Sequence, residues 1–299
     1  MPRPDIQLPP RRVGLNLTLS LIFENFFTLF GSFFFGFGMI FVWAFGLNAD
    51  LSGLQFAGRV ETCPGVAVNW DRTGFSESSD DTSDGRQVFF TDYAFFDAEG
   101  NRRTGRSYAT GTFIEQGREM TVEYPAGRPE YSRIRGMRRK AFGPFVLFVF
   151  IFPAVGLYMI WHGLKQGLKQ ARLLKIAEPA EARIIACDGT SVYVNERQVQ
   201  RYVFAFKPFG SREEFRAEFR THLTDHLGDE PTELVLFDSA DPGIAVPVDG
   251  LSAPVKFCTD GSVRCAKLWR GWAGPALFTV CFVPHGVYLL WRFFFLEQP

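Results

Sequence analysis

Histidine and lysine are scarce in this 299-residue chain. Its four histidines are His162, His222, His226 and His285; none lies between residues 47 and 140, a stretch that also has no lysine before Lys140. Serine–histidine or cysteine–histidine catalysis within that stretch is thereby excluded. No Gly-x4-Gly-Lys phosphate loop is present, and 32 Lys+Arg against 32 Asp+Glu leave a formal net charge of zero, so no nucleic-acid footprint is offered. Cys63 stands alone in residues 47 to 140 and cannot form an internal disulfide there. Cys258 and Cys265 flank a Thr259 to Ser262 turn and would pair only on an oxidising side.

Phenylalanine is abundant: 34 of 48 aromatic residues, which points to lipid. Three runs of 21 residues contain no Asp, Glu, Lys or Arg, namely 26–46, 141–161 and 271–291. About 20 apolar residues cover the ~30 Å hydrocarbon layer, and none of the runs has the charged stripe of a soluble surface helix, so each is expected to span. The first is too long for a signal peptide, and Glu24 and Asn25 stand where a basic flank is required. Each run carries Gly-x4-Trp near its end: Gly38 to Trp43, Gly156 to Trp161, Gly286 to Trp291. The last two also share a Gly-Pro opening and a second proline, Pro153 or Pro284, expected to kink the helix. Phe23, Phe27, Phe30, Phe34, Phe37, Phe41 and Phe45 form one ridge along the first span, expected to face lipid. Ser32 and Gly36 are a small-xxx-small pair for helix packing. His285, within the third span, is a candidate intramembrane polar site.

The expected fold class is an α+β membrane protein with three transmembrane helices and two repeated small antiparallel β-domains. The tail is 1–25, the first β-domain 47–140, a basic surface helix with the second β-domain 162–270, and the C-terminal tail 292–299. Setting Cys63 against Cys187 aligns Arg59-Val60 with Arg183-Ile184. Beyond gaps, Arg86-Gln87-Val88 meets Arg197-Gln198-Val199, Tyr93-Ala94-Phe95 meets Tyr202-Val203-Phe204, and Val122-Glu123-Tyr124 meets Val235-Leu236-Phe237. Phe215 to Thr221 alternates as a half-buried strand, and Glu99-Gly100-Asn101 and Pro208-Phe209-Gly210 supply turns. Lys165, Lys169, Arg172 and Lys175, with leucines between, predict that the second span continues into a short basic helix at the membrane surface.

Three local motifs imitate chemistry and lack a part. Gly105-x-Ser107-x-Ala109 lacks the final glycine and nearby histidine of a nucleophile elbow. His222 and His226 have metal-ligand spacing, but Leu223 stands where a zinc protease needs Glu. Ser76 to Gly85 mimics the opening of a calcium loop, but Thr91 occupies the bidentate Glu position, and a solvated acidic loop is expected.

An apolar β-branched residue opening a strand, a Tyr-x-Phe strand and a closing Val-x-aromatic-x4-Pro-x-x-small segment, flanked by spans, resemble the membrane-anchored family named domain of unknown function 3592. The residues carrying the likeness are Val60, Tyr93 to Phe95 and Val122 to Ser132, then Ala182 to Ile184, Tyr202 to Phe204 and Val235 to Ala245. The resemblance implies an architecture and no activity. Eleven basic residues flank the spans on the N-terminal side against eight on the other, which favours a cytoplasmic N-terminus in the plasma or inner membrane. The expected function is non-enzymatic: the duplicated β-domains bind or organise a protein partner or a second copy, in contact with membrane lipid, with no cofactor, metal or nucleic acid. The alternative is a small transport or channel subunit acting as an oligomer, with His285 near its path.

Overall fold

The computed structural model describes residues 6–79, 82–194, 196–221, 227, 231–266 and 270–295. The protein is α+β, with antiparallel sheets and three helical stretches long and apolar enough to cross a membrane: Phe26–Asn48, Pro144–Ile176 and Trp272–Phe295. Its compact units are Met1–Phe37 with Phe152–Pro299, and Gly38–Ile151.

In the first unit, strand β1 (Arg12–Val13) leads into helix α1 (Leu15–Phe23) and then α2 (Phe26–Ala44). In the second unit, α2 ends in a 3-10 turn, Gly46–Asn48, followed by the single turn α3 (Ser52–Gln55). A five-stranded sheet follows: β2 (Val60–Ser79), β3 (Thr82–Phe96), β4 (Arg102–Thr110), β5 (Glu119–Pro125) and β6 (Arg133–Ile134), in the order β4-β3-β2-β5-β6. Its core is Tyr93, Phe95, Val122, Tyr124 and Ile134. A bridge from Tyr108 to Arg138 curls the β4 edge towards the end of the chain segment.

The first unit resumes with α4 (Ile151–Ile176) and a second sheet of β7 (Glu178–Val194), β8 (Arg197–Phe206), β9 (Phe215–Thr221), β10 (Glu233–Asp238) and β11 (Asp241–Pro247). Its order is β11-β10-β7-β8-β9, and its core holds Phe204, Phe206, Val235 and Phe237. The hairpin β12 (Val255–Phe257) and β13 (Ser262–Cys265) follows, then α5 (Arg270–Phe295). Strand β1 pairs in parallel with β13, so the N-terminal tail is part of this β-region.

Counted within each sheet, both orders are third, second, first, fourth, fifth. Two irregularities are also shared, while a third in the first sheet, between Glu77 and Ser79, has no counterpart. The first strand of each sheet bulges once, between Ala67 and Asn69 or between Ile184 and Ala186, and again between Arg72 and Ser76 or between Gly189 and Tyr193. At the second irregularity the same bonds recur. Thr73 Oγ1 donates to Val88 O, and Gln87 Nε2 to Thr73 O. Thr190 Oγ1 donates to Val199 O, and Gln198 Nε2 to Thr190 O. Each Thr–Gln pair supplies hydrogen bonds that the interrupted ladder cannot.

This register corrects part of the sequence alignment. Gln87 does correspond to Gln198, but Tyr93-Ala94-Phe95 corresponds to Phe204-Ala205-Phe206, two residues beyond the expected Tyr202-Val203-Phe204. Cys63 lies opposite Val122, as Ala180 lies opposite Val235, so Cys63 and Cys187 are not equivalent. Cys258 and Cys265 do not form a disulfide: Cys265 lies opposite Val255, which takes it out of register with Cys258.

Other expectations change for local reasons. The basic stretch is the continuous end of α4, in keeping with the charge spacing, but it is not bare: Leu173 and Leu174 are buried with Leu236 and Val246 while Lys165, Lys169, Arg172 and Lys175 stay exposed. Pro153 is the third residue of α4, preceded by a 3-10 turn (Pro144–Phe150), so it stands in a first turn where no intrahelical bond is lost. Pro284 is interior to α5. The Phe ridge is split: Phe27, Phe30 and Phe37 are exposed, as is Phe33, whereas Phe23 packs on Phe278, Phe34 on Phe152 and Phe45 on Phe142. The acidic Ser76 to Gly85 segment is largely strand, with Glu77 opposite Arg86 and Ser79 opposite Thr82; residues 80 and 81 lie outside the described residues. Turns form at Gly100 and Gly210, where positive φ of 83° and 77° favours glycine.

Arg11 ties the tail down. Its backbone N–H donates to Lys175 O, and its guanidinium to Leu174 O, Ala177 O and Gln7 O, so one residue satisfies three carbonyls at the end of α4. Burial lowers its pKa from the usual value. Truncating Arg11→Ala removes charge-assisted bonds and is expected to cost about 2–3 kcal/mol, read as a lower unfolding midpoint in detergent. In the first sheet, burial raises the pKa of Glu77, but hydrogen bonds from Arg138 and Thr110 outweigh it and hold the carboxyl below its ordinary value. The resulting stabilisation is present above the unfolded pKa and lost as pH falls through the folded one. Amide exchange in the Glu77–Arg86 hairpin should therefore accelerate on acidification, and Glu77→Gln should flatten that profile.

Candidate functional site: a polar junction of helices

Glycine lets α4 meet α1 and α2 backbone to backbone. A methyl added to Gly31 would lie 2.8 Å from Gly156 O, one on Gly156 2.6 Å from Phe35 N, and one on Gly167 2.6 Å from Ile22 Cα. The pairings run in opposite chain directions, from 22 with 167 to 35 with 156, so the helices are antiparallel. Helix α5 meets α2 in the same chain direction: Gly274 lies against Phe23, and Phe282 stacks on Phe35 at 4.2 Å between ring centroids.

Where α1 breaks into α2, this contact becomes polar. Asn25, buried, accepts a hydrogen bond from Phe27 N at 2.9 Å and thereby caps α2. Its amide donates to Gln166 Oε1 at 3.1 Å and reaches Ser252 Oγ at 3.5 Å. Gln166 Nε2 lies 3.0 Å from His162 Nε2, and Ser252 N donates to Gln170 Oε1 at 3.2 Å. Because Gln166 accepts from Asn25 through its oxygen, its amide nitrogen is the donor to His162, which places a neutral imidazole's hydrogen on Nδ1. The ring lies edge-on to Phe27 at 4.8 Å. Gly163 makes room: a side chain there would collide with Thr28, whose buried hydroxyl has no hydrogen-bond partner. The chain of amides and imidazole therefore joins α2, α4 and Ser252 of the second β-region through donors and acceptors of fixed direction.

The expected packing pair divides. Gly36 faces α5, where a methyl would lie 3.1 Å from Cys281 Cβ, while Ser32 donates to Thr28 O within its own helix. The close approach to α4 uses Gly31 instead. His285 lies half-buried, edge-on to Phe35 at 6.3 Å, and belongs to a different stretch of the helices from His162. Asn25, Gln166 and Ser252 were not marked by sequence; the available signal was Asn25 next to a span and the Gly163-x3-Gly167 spacing.

The imitated motifs are structural or outside view. Ser107 is fully buried on β4, where its Oγ accepts from Ile134 N, and it is not presented as a nucleophile. Tyr93 donates to Ser132 Oγ at 3.1 Å, and burial raises its phenol pKa. Tyr202 is raised to about 12 by burial and then by the Cys187 thiol. His222 and His226 lie outside the described residues. Among the described residues no group of three His, Cys, Asp or Glu side chains converges as a metal site.

Replacing Gly163→Leu forces a side chain onto the Thr28 backbone at 2.6 Å and is expected to destabilise the helices by about 3 kcal/mol or more. Asn25→Ala leaves Phe27 N and Gln166 short of partners and should cost about 1–2 kcal/mol, both read from thermal unfolding in detergent. Set against known proteins, the chain stands apart: no protein-family model, no curated protein and no solved structure matches it.

Proposed function

We propose that this chain is an integral membrane protein of three spans with a cytoplasmic N-terminus, in the plasma or inner membrane, whose two β-domains are copies of one unit and bind or organise a partner. The alternating chain directions of α2, α4 and α5 support three crossings, as does the pairing of β1 with β13, since two positions on one side must be separated by an even number of spans. Duplication is supported by the common strand order, the matched bulges and the repeated Thr–Gln bonds. It is also the architecture that the resemblance to family 3592 implies.

The single observation that carries the binding reading is the bare face of the first sheet. Val66 and Val68 alternate outward from β2 beside Phe96 of β3, all exposed, opposite a face that buries Ala67, Tyr93 and Phe95. Apolar residues grouped on an exposed sheet face mark interaction surfaces. A photocrosslinking residue at position 66 should capture a distinct protein that Phe96→Asp releases. Recovery of the chain alone would set aside a separate partner, and an adduct twice its own mass would favour a second copy. The transport alternative draws support from the Asn25–Gln166–His162 chain; flux in reconstituted vesicles unchanged by Gln166→Leu and by His285→Ala would remove it.

The cytoplasmic N-terminus has its own test. A protease site inserted at the exposed Phe209–Gly210 turn should survive in intact cells and be cut only after lysis, whereas cutting in intact cells would invert the orientation.

A further inference from the structure

The short turn α3 has its polarity inside out. Ser52 is 4 % exposed and Asp50 9 %, whereas Leu51 is 46 % exposed and Leu54 80 %. The inward placement of the polar side chains is built. Asp50 accepts from Ser52 N at 2.8 Å and from Arg139 N at 3.1 Å. Arg133 donates to Ser52 Oγ at 3.1 Å and lies 3.9 Å over the Phe56 ring, and Arg139 donates to Gln55 Oε1 at 2.9 Å. Two arginines and an aspartate thus hold the polar side of the turn against the first β-domain. Leu51 and Leu54, three residues apart and so on one side of a helical turn, are left facing away.

The depth of this turn is set by its backbone. It follows the first span within a few residues, and Asp50 N donates to Phe142 O at 2.7 Å while Phe142 N donates to Asn48 O at 3.1 Å. The turn therefore hangs from the point where the second apolar stretch begins. Phe145, the next large side chain along that stretch, is itself exposed. Apolar side chains at the junction of two spans, on an element whose polar groups are already satisfied inwards, meet the conditions for immersion in the boundary between lipid headgroups and acyl chains.

We propose that α3 is a lipid-docking foot: Leu51 and Leu54 enter the membrane interface, and Arg133, Arg139 and Asp50 transmit that hold to the β-domain. The occupant of this surface is bilayer lipid, continuous with the lipid around the spans. The inference rests on the reading of those spans as membrane-crossing, and its test separates the two. An environment-sensitive fluorescent amino acid is introduced singly at Leu54, at Phe33 on the exposed side of α2, and at Glu99 in the turn between β3 and β4. Each variant of the full chain is reconstituted in vesicles whose phospholipid acyl chains are brominated near the headgroup. Lipid docking is expected to give a blue-shifted emission and loss of intensity at 54 and at 33, with intensity retained at 99. Quenching at 33 without quenching at 54 overturns the foot and leaves the spans standing. A blue shift at 54 without quenching assigns the surface to a protein and overturns the lipid assignment. Absence of quenching at both 33 and 54 overturns the membrane reading together with the foot. A second variant, Arg133→Gln with the probe at 54, should lower quenching by loosening the turn; unchanged quenching would overturn the role given to Arg133.

Discussion

The contact on which the first unit depends is the backbone approach of α2 to α4. Side chains along this contact would hold the two backbones apart, so close packing and hydrogen bonds set it. Gly156, Gly163 and Gly167 remove side chains along one stripe of α4, and Gly31 removes one from α2. The proximity gained brings Asn25 within reach of Gln166, and Ser252 within reach of Asn25. The tail is fixed by the same helix, because Arg11 caps the end of α4 and so positions β1 beside β13. Helix contact and polar junction thus follow from one glycine stripe, and the tail is held at the end of the same helix.

The β-domains were legible in part, and the limit has a physical cause. Side chains in a strand alternate with a period of two, so sliding an alignment by two residues leaves every residue on its face. Hydrophobic pattern alone could not separate Tyr202-Val203-Phe204 from Phe204-Ala205-Phe206 as the partner of Tyr93-Ala94-Phe95. The bulges remove that degeneracy, since an extra residue changes which side chain meets which. Gln87 and Gln198 each bond to a threonine beside such an irregularity, so they hold like positions in their two sheets.

The three long apolar helices were legible from length and charge, but the contacts between them were not. A helix turns about 100° per residue, so naming Ser32 rather than Gly31 as a packing residue points to a different neighbour. Which side of α2 meets α4 depends on glycines more than a hundred positions away, and no local pattern near residue 31 carries that information. The polar junction is harder still, because Asn25 and Gln166 read separately as a flank and a surface glutamine. The phenylalanine ridge failed in part for the same reason: Phe23, Phe34 and Phe45 obey the helical period, yet meet Phe278, Phe152 and Phe142.

The Gly-x4-Trp endings separate what a repeated motif can fix from what it cannot. Gly156 is pressed against Phe35, while a methyl on Gly286 would meet nothing within 4 Å, so the shared glycine does not imply a shared helix contact. The tryptophans behave alike: Trp161 and Trp291 are both exposed at the ends of apolar runs. An indole gains from an apolar body and a wet N–H whichever helix carries it, so its position along the run is constrained by depth alone. Helix packing requires a complementary surface at a particular rotation about the axis, and that differs between α4 and α5. The repeated ending therefore marks where each apolar run closes, and the glycine stripe of α4 sets what that helix packs against.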